Sequence, residues 1–94
     1  MMNNSTNELS RRVTITNDLG LHARSAAKIA QLVQNVKSKV WIIKDSKKAD
    51  ASSIIDILTL VCPKGSIITL KIDDQSDLGI LNDLVQLIES GFGE

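Results

Sequence analysis

The segment Leu19-Gly20-Leu21-His22-Ala23-Arg24-Ser25-Ala26-Ala27 holds the only histidine of the chain, two residues before an arginine. Unperturbed imidazole has a pKa of about 6.5, so at neutral pH much of it is a neutral nucleophile that needs no partnering base. A phosphoryl group on such a ring nitrogen remains transferable. Arg24 brings a guanidinium whose several donors match phosphate oxygens and would stabilise the charge on a phosphoryl group in transit. Apolar residues recurring from Ala26 onward place His22 immediately before a helix N-terminus. First-turn N–H groups lack intrahelical acceptors and the helix dipole is positive there. The amides of Ala23, Arg24 and Ser25 are therefore candidate donors to an anion on His22. The small side chains of Ala23, Ala26 and Ala27 would let a partner approach closely. Taken alone, a histidine at a helix start reads more readily as a structural or capping residue.

The elements that must position this segment follow from periodicity. Val13-Thr14-Ile15-Thr16 alternates apolar and polar, with β-branched residues throughout, and predicts a strand with one face buried. Asn17-Asp18-Leu19-Gly20 breaks it. Ala26, Ile29, Ala30, Val33 and Val36 form one apolar stripe on a helix over about residues 24–36. Lys39 to Lys44 predicts a second strand, followed by the polar turn Asp45-Ser46-Lys47-Lys48 and a short third strand. Ser52-Ser53 precedes Ile54, Ile55, Ile57, Leu58 and Leu60, a short helix with a hydroxyl at its N-cap and Pro63 beyond its end. Ile67 to Ile72 makes a fourth strand. Leu81, Leu84, Val85 and Ile88 define a last helix that stops before Gly91.

The order βαββαβα predicts an α+β fold, an open-faced β-sandwich in which a four-stranded antiparallel sheet carries three helices on one face. Strand parity assigns the sides. Val13, Ile15, Val40, Ile42, Ile68, Leu70 and Ile72 should point inward, leaving Thr14, Thr16, Trp41, Ile43 and Ile67 on the open face.

Bulk properties narrow the function classes. Ninety-four residues fit one domain, read here as a flexible polar tail over 1–10 and a folded unit over 11–94. Eleven basic residues balance eleven acidic ones, so no broad positive field exists to hold nucleic acid or an anionic membrane. With one Trp, one Phe and no Tyr, stacking on bases is disfavoured and aliphatic residues must fill the core. No segment approaches the roughly 20 apolar residues that span a bilayer, so the expected location is the cytoplasm. Cys62 is the single cysteine, read as a buried or half-buried thiol; with His22 alone beside it there is no metal-ligand cluster.

The segment around His22 closely resembles the Gly-(Leu/Ile)-His-(Ala/Thr)-Arg-Pro-Ala motif of the HPr family, the histidine phosphocarriers of bacterial phosphotransferase systems. Ser52-Ser53-Ile54-Ile55-Asp56-Ile57-Leu58-Thr59-Leu60, with Lys64-Gly65 after it, resembles that family's regulatory-serine helix and its Lys-Gly turn, and coverage runs from about Arg11 to Glu94. The resemblance implies a carrier without metal or cofactor. His22 would be phosphorylated on Nδ1, with Arg24 as the accompanying active-site arginine. Enzyme I would be the donor and a histidine of an Enzyme IIA domain the acceptor. Ser53 matches the serine modified by HPr kinase/phosphorylase where that enzyme exists, with Ser52 as a competing site and a plain N-cap as the simpler role. Ile54, Ile55 and Leu58 would dock partners, and the carrier would be a monomer. Serine stands at position 25 where the motif has proline. Its N–H and hydroxyl could contact the phosphoryl group, and activity should survive with altered kinetics.

Two other readings keep the fold. One is a non-transferring regulator switched at Ser53, against which the retained His22-Ala23-Arg24 argues. The other is an interaction module using Trp41, Ile43 and Ile67 on the open sheet face. Glu89-Ser90-Gly91-Phe92 also resembles the ending of NPr, the carrier of the nitrogen-related branch.

Overall fold

Alternation of β-branched residues against a buried face is realised in a computed structural model that describes residues 9–94. The expected polar tail lies, for residues 1–8, outside the described residues. Leu9 and Ser10 already belong to the fold: Leu9 packs on the core and its carbonyl accepts the Ile72 N–H at 2.9 Å. Strand β1 (Ser10–Thr14) is followed by α1 (Ala23–Leu32), β2 (Val40–Lys44), β3 (Lys47–Asp50), α2 (Ile54–Thr59), β4 (Ile67–Ile72) and α3 (Leu78–Glu89). The order is βαββαβα.

All strand pairs are antiparallel and the sheet order is β1-β4-β2-β3. Val13 pairs with Ile68, and Ile42 lies between Leu70 and Ala49, so the inward residues of all four strands share one face. Ala26 and Ile29 of α1, Ile57 of α2, and Leu81, Leu84 and Ile88 of α3 close over that face in one buried cluster. The parity reading holds: Ile15, Ile42, Leu70 and Ile72 are wholly buried, while Ile67 is exposed on the other side. On the open face the Trp41 indole N–H donates to Asp73 at 3.3 Å, and the Lys48 ammonium lies 4.3 Å from its ring centroid.

Three boundaries depart from the sequence reading. Helix α1 ends at Leu32 although the apolar stripe continues, because Gln34 and Val36 bond three residues back and tighten the chain into successive turns. The Asp77 carboxylate then holds this exit by accepting the Lys37 and Ser38 N–H groups at 2.9 and 3.1 Å. Lys47 and Lys48 are strand rather than turn. Asp45, with φ +55, and Ser46 alone connect β2 to β3, so pairing with Lys44 and Ile43 overrides weak strand propensity. Strand β1 also begins earlier and ends earlier than expected, although Ile15 continues the ladder through Ser66 and Gly65.

Candidate functional site

The loop from β1 to α1 is held by backbone contacts before any reactive side chain enters. The Gly20 N–H donates to the Asn17 carbonyl at 3.1 Å, and Asn17 Nδ2 donates to the Gly20 carbonyl at 2.8 Å. Gly20 has φ +66, and a Cβ there would lie 2.3 Å from the Cys62 carbonyl oxygen and 2.8 Å from the Pro63 Cα. Only glycine fits. Immediately after it, the Leu21 N–H donates to the Cys62 carbonyl at 2.8 Å, fixing the loop against the segment that leaves α2.

His22 is the N-cap of α1, with extended backbone, and its carbonyl accepts the first helical bond from Ala26 at 2.8 Å. Its Nδ1 accepts the Arg24 N–H at 3.3 Å. Its Nε2 lies 2.6 Å from Glu94 Oε2. A carboxylate only accepts and an amide only donates, so this bonding pattern puts the ring proton on Nε2 and leaves the lone pair on Nδ1. The His22 side chain is one-quarter exposed at the start of the helix.

Glu94 is itself oriented. Asn17 Nδ2 donates to Oε1 at 2.9 Å, and that bond, followed by the one from His22, holds the Glu94 carboxyl below its ordinary range. The segment bearing it is anchored by buried Phe92, whose carbonyl accepts from Lys28 Nζ at 2.6 Å, and by the Glu94 N–H to the Gly91 carbonyl at 3.0 Å. Asn17 and Glu94 escaped the sequence reading. The polar type of Asn17 in a turn and the acidic type of Glu94 carry no local signal of a shared partner.

Ala23 and Arg24 are exposed at the helix start, with their amides in the first turn beside His22. Ser25 is wholly buried, and its hydroxyl is committed to the loop. It accepts the His22 N–H at 2.9 Å and reaches the Gly20 and His22 carbonyls at 3.1 and 3.2 Å. The hydroxyl contact to a phosphoryl group considered from the sequence is thereby replaced by a capping role; the Ser25 amide stays in the first turn. Ala26, also wholly buried, faces the core and gives no approach surface.

Helix α2 lies against α1 and β3. Ser53 is its N-cap, its Oγ accepting the Asp56 N–H at 3.2 Å. The Ser52 hydroxyl instead donates to Asp50 Oδ1 at 2.6 Å. The Lys39 ion pair, with that Ser52 bond, lowers the Asp50 carboxyl to about 2. Ile57 is buried whereas Ile54, Ile55 and Leu58 are exposed, Ile55 to 77%. Cys62 is buried, and burial pushes its thiol up.

Residues 9–90 match the family model described as the PTS HPr component phosphorylation site. The chain is 40% identical to the phosphocarrier protein HPr of Cupriavidus necator, over 92% of this chain and 97% of that one. It is 38% identical to the phosphocarrier protein NPr of Shewanella violacea, over 93% and 96%. Among solved structures, HPr from Thermoanaerobacter tengcongensis superimposes with a TM-score of 0.75 at 39% identity, covering 90% of this chain and 96% of that one. HPr from Bacillus anthracis gives 0.79 at 30% identity, covering 85% and 95%. A lone-pair Nδ1 at a helix N-terminus, on this sheet order and within this matched span, makes the chain a member of the HPr family, a phosphocarrier of the phosphotransferase system.

Proposed function

We propose that His22 Nδ1 takes a phosphoryl group from phosphorylated Enzyme I and delivers it to a histidine of an Enzyme IIA domain, the chain acting as a cytoplasmic monomer. The observation that carries this is the division of the imidazole: Nδ1 faces a single long amide contact and Nε2 is held by Glu94. In the first step the N–P bond on the donor histidine breaks as the Nδ1–P bond forms. Nε2 keeps its proton, so the ring gains positive charge, which the Glu94 carboxylate offsets. The Arg24 amide is released from Nδ1 and, with those of Ala23 and Ser25, can donate to phosphoryl oxygens at the positive end of α1. The Arg24 guanidinium stabilises the charge in transit. Transfer to the acceptor runs the same steps in reverse.

Ile54, Ile55 and Leu58 are exposed on α2, a surface suited to docking both partners. Ser53 is the site we assign to HPr kinase/phosphorylase. It accepts rather than donates in the fold, whereas the Ser52 hydroxyl is bonded to a carboxylate that would repel a phosphate.

Incubation with phosphoenolpyruvate and Enzyme I should label the parent chain and leave His22→Ala unlabelled, with loss of label on adding the IIA acceptor. Label persisting in His22→Ala would overturn the assignment. Binding of partners without any labelling would favour the regulator switched at Ser53.

A further inference from the structure

The sheet face turned away from the helices carries its side chains in cross-strand rows. Arg12 of β1 pairs with Thr69, Thr69 with Ile43, and Ile43 with Lys48 of β3, so one row runs Arg12, Thr69, Ile43, Lys48. The neighbouring row runs Ser10, Lys71, Trp41, Asp50. Ile67, 53% exposed, lies diagonally beside Ile43.

The charges on this face are unevenly matched. Three carboxylates border it: Asp50 is paired with Lys39 at 2.8 Å, Asp73 accepts the Trp41 indole N–H at 3.3 Å, and Asp45 lies beyond the rows in the turn after β2. Arg12, Lys48 and Lys71 are exposed and enter no ion pair among the described residues. The Lys48 ammonium rests 4.3 Å from the Trp41 ring centroid, a contact that holds a cation without neutralising it. A chain of zero net charge thus sets unpaired cations around Trp41, Ile43 and Ile67. An apolar centre inside a polar rim is the make-up of a protein interface.

Spacing selects the occupant. Adjacent strands lie about 4.8 Å apart, so Arg12 and Lys48, three strand intervals apart, are separated by roughly 14 Å along their row. An extended segment rises about 3.3 Å per residue and returns to the same face every second residue, so carboxylates four residues apart in it span about 13 Å. The residue midway between them then meets Ile43 and Thr69. We infer that the open sheet face binds an extended acidic segment of a partner protein, of pattern acidic-x-apolar-x-acidic, laid across the strands with its carboxylates on Arg12 and Lys48. Lys71, diagonal to Arg12, is a third cation for a flanking carboxylate. A headgroup layer or a nucleic-acid backbone presents continuous negative charge and would set it against Asp50 and Asp73, and a single tryptophan held under a lysine gives bases no stacking platform. A second copy would bring cations to cations. The face lies across the sheet from α1, whose N-cap is His22, so this site is separate from the phosphoryl chemistry and does not depend on that reading.

Trp41 is the only tryptophan, so its fluorescence reports occupancy of this face directly. The probe is a capped peptide with Glu-Thr-Ile-Thr-Glu at its centre, titrated into the parent chain at low salt. A saturable change in Trp41 emission is expected, and the dissociation constant should rise about three-fold in Lys48→Gln and in Arg12→Gln, and about ten-fold in the double variant. Lys47→Gln removes the same charge one residue away on the opposite face and should leave the constant unchanged. Replacing both peptide glutamates by glutamine should weaken binding to the parent about ten-fold, a comparison that stands even if a variant fails to fold. No saturable change in the parent, equal affinity for the glutamine peptide, or equal losses in Lys47→Gln and Lys48→Gln overturns the proposal. Tighter binding of phosphatidylglycerol vesicles or of single-stranded DNA than of the peptide, at equal concentration of negative charge, overturns the occupant.

Discussion

Nε2 of His22 and Oε2 of Glu94 stand 2.6 Å apart, a contact between residues 72 positions distant in the chain. It fixes which ring nitrogen carries the proton, and so which one is free to react. Glu94→Gln keeps the shape and removes the charge. Transfer from Enzyme I to His22 should slow by about ten-fold in that variant, read by rapid-quench labelling, with Asn17 and the fold intact. A rate equal to the parent's would mean that the Glu94 charge does not offset the positive charge the ring gains in transfer.

The same carboxylate makes stability depend on pH. Hydrogen bonds from Asn17 and His22 hold the Glu94 carboxyl below its ordinary value of 4.5, so the unfolded chain binds that proton more readily than the folded one. Its contribution is full above about pH 4.5 and is lost as pH falls through the lowered folded value. Asp50, lowered to about 2 chiefly by Lys39, extends the loss further into acid. Urea midpoints measured from pH 7 to 2 should therefore fall on acidification. The slope should be shallower in Glu94→Gln below pH ~4.5, and in Asp50→Asn towards the acid limit.

What the sequence could reveal was what each segment states locally. Apolar period gave the inward faces of Val13, Ile42, Leu70 and Ile88, and a histidine just before a helical stripe marked the N-cap. The partners of that histidine were not legible, because Glu94 reaches it through the folding of α3 and the Gly91–Gly93 turn onto α1. Ser25 looked like a free hydroxyl near the reaction. Its burial depends on the loop closing over it, which Gly20 permits by lying against Cys62. Lys47 and Lys48 lacked strand propensity, and only pairing with β2 makes them strand.

Asn17 is 5% exposed, and its Nδ2 bridges the Gly20 carbonyl and Glu94. Asn17→Ala takes one donor from each acceptor, the Gly20 carbonyl keeping Ser25 Oγ and Glu94 keeping His22, and should destabilise the fold by about 1 kcal/mol, read by urea denaturation. Asn17→Asp sets a second carboxylate against Glu94. Its repulsion should raise the Glu94 carboxyl towards or above the ordinary range, measurable by carboxyl NMR titration.

Two glycines separate steric need from propensity. At Gly20 a Cβ would collide with backbone at 2.3 Å, so Gly20→Ala should lower stability by more than ~2 kcal/mol and depress labelling of His22. At Gly79, in the first turn of α3, a Cβ meets nothing within 4 Å. Gly79→Ala should instead raise stability by up to ~1 kcal/mol and leave transfer unchanged. Equal effects at the two sites would refute the close approach at Gly20.

Ser25→Pro restores the residue usual in the HPr motif and tests what serine does here. Proline removes the N–H of a first-turn residue, which has no intrahelical acceptor to lose but is one of the three amides assigned above to the phosphoryl oxygens, and its fixed φ suits a helix start. It also removes the hydroxyl that accepts the His22 N–H and reaches the Gly20 and His22 carbonyls. The loss of these buried bonds outweighs the gain in chain stiffness, so stability should drop by about 1 kcal/mol. The loop before α1 would then be less tightly tied, and the phosphorylated form should show a changed rate of hydrolysis while the forward transfer rate stays within a few-fold. Parallel measurements of the urea midpoint and of phosphohistidine decay decide the point. If both match the parent, the Ser25 hydroxyl has no part in holding the His22 loop.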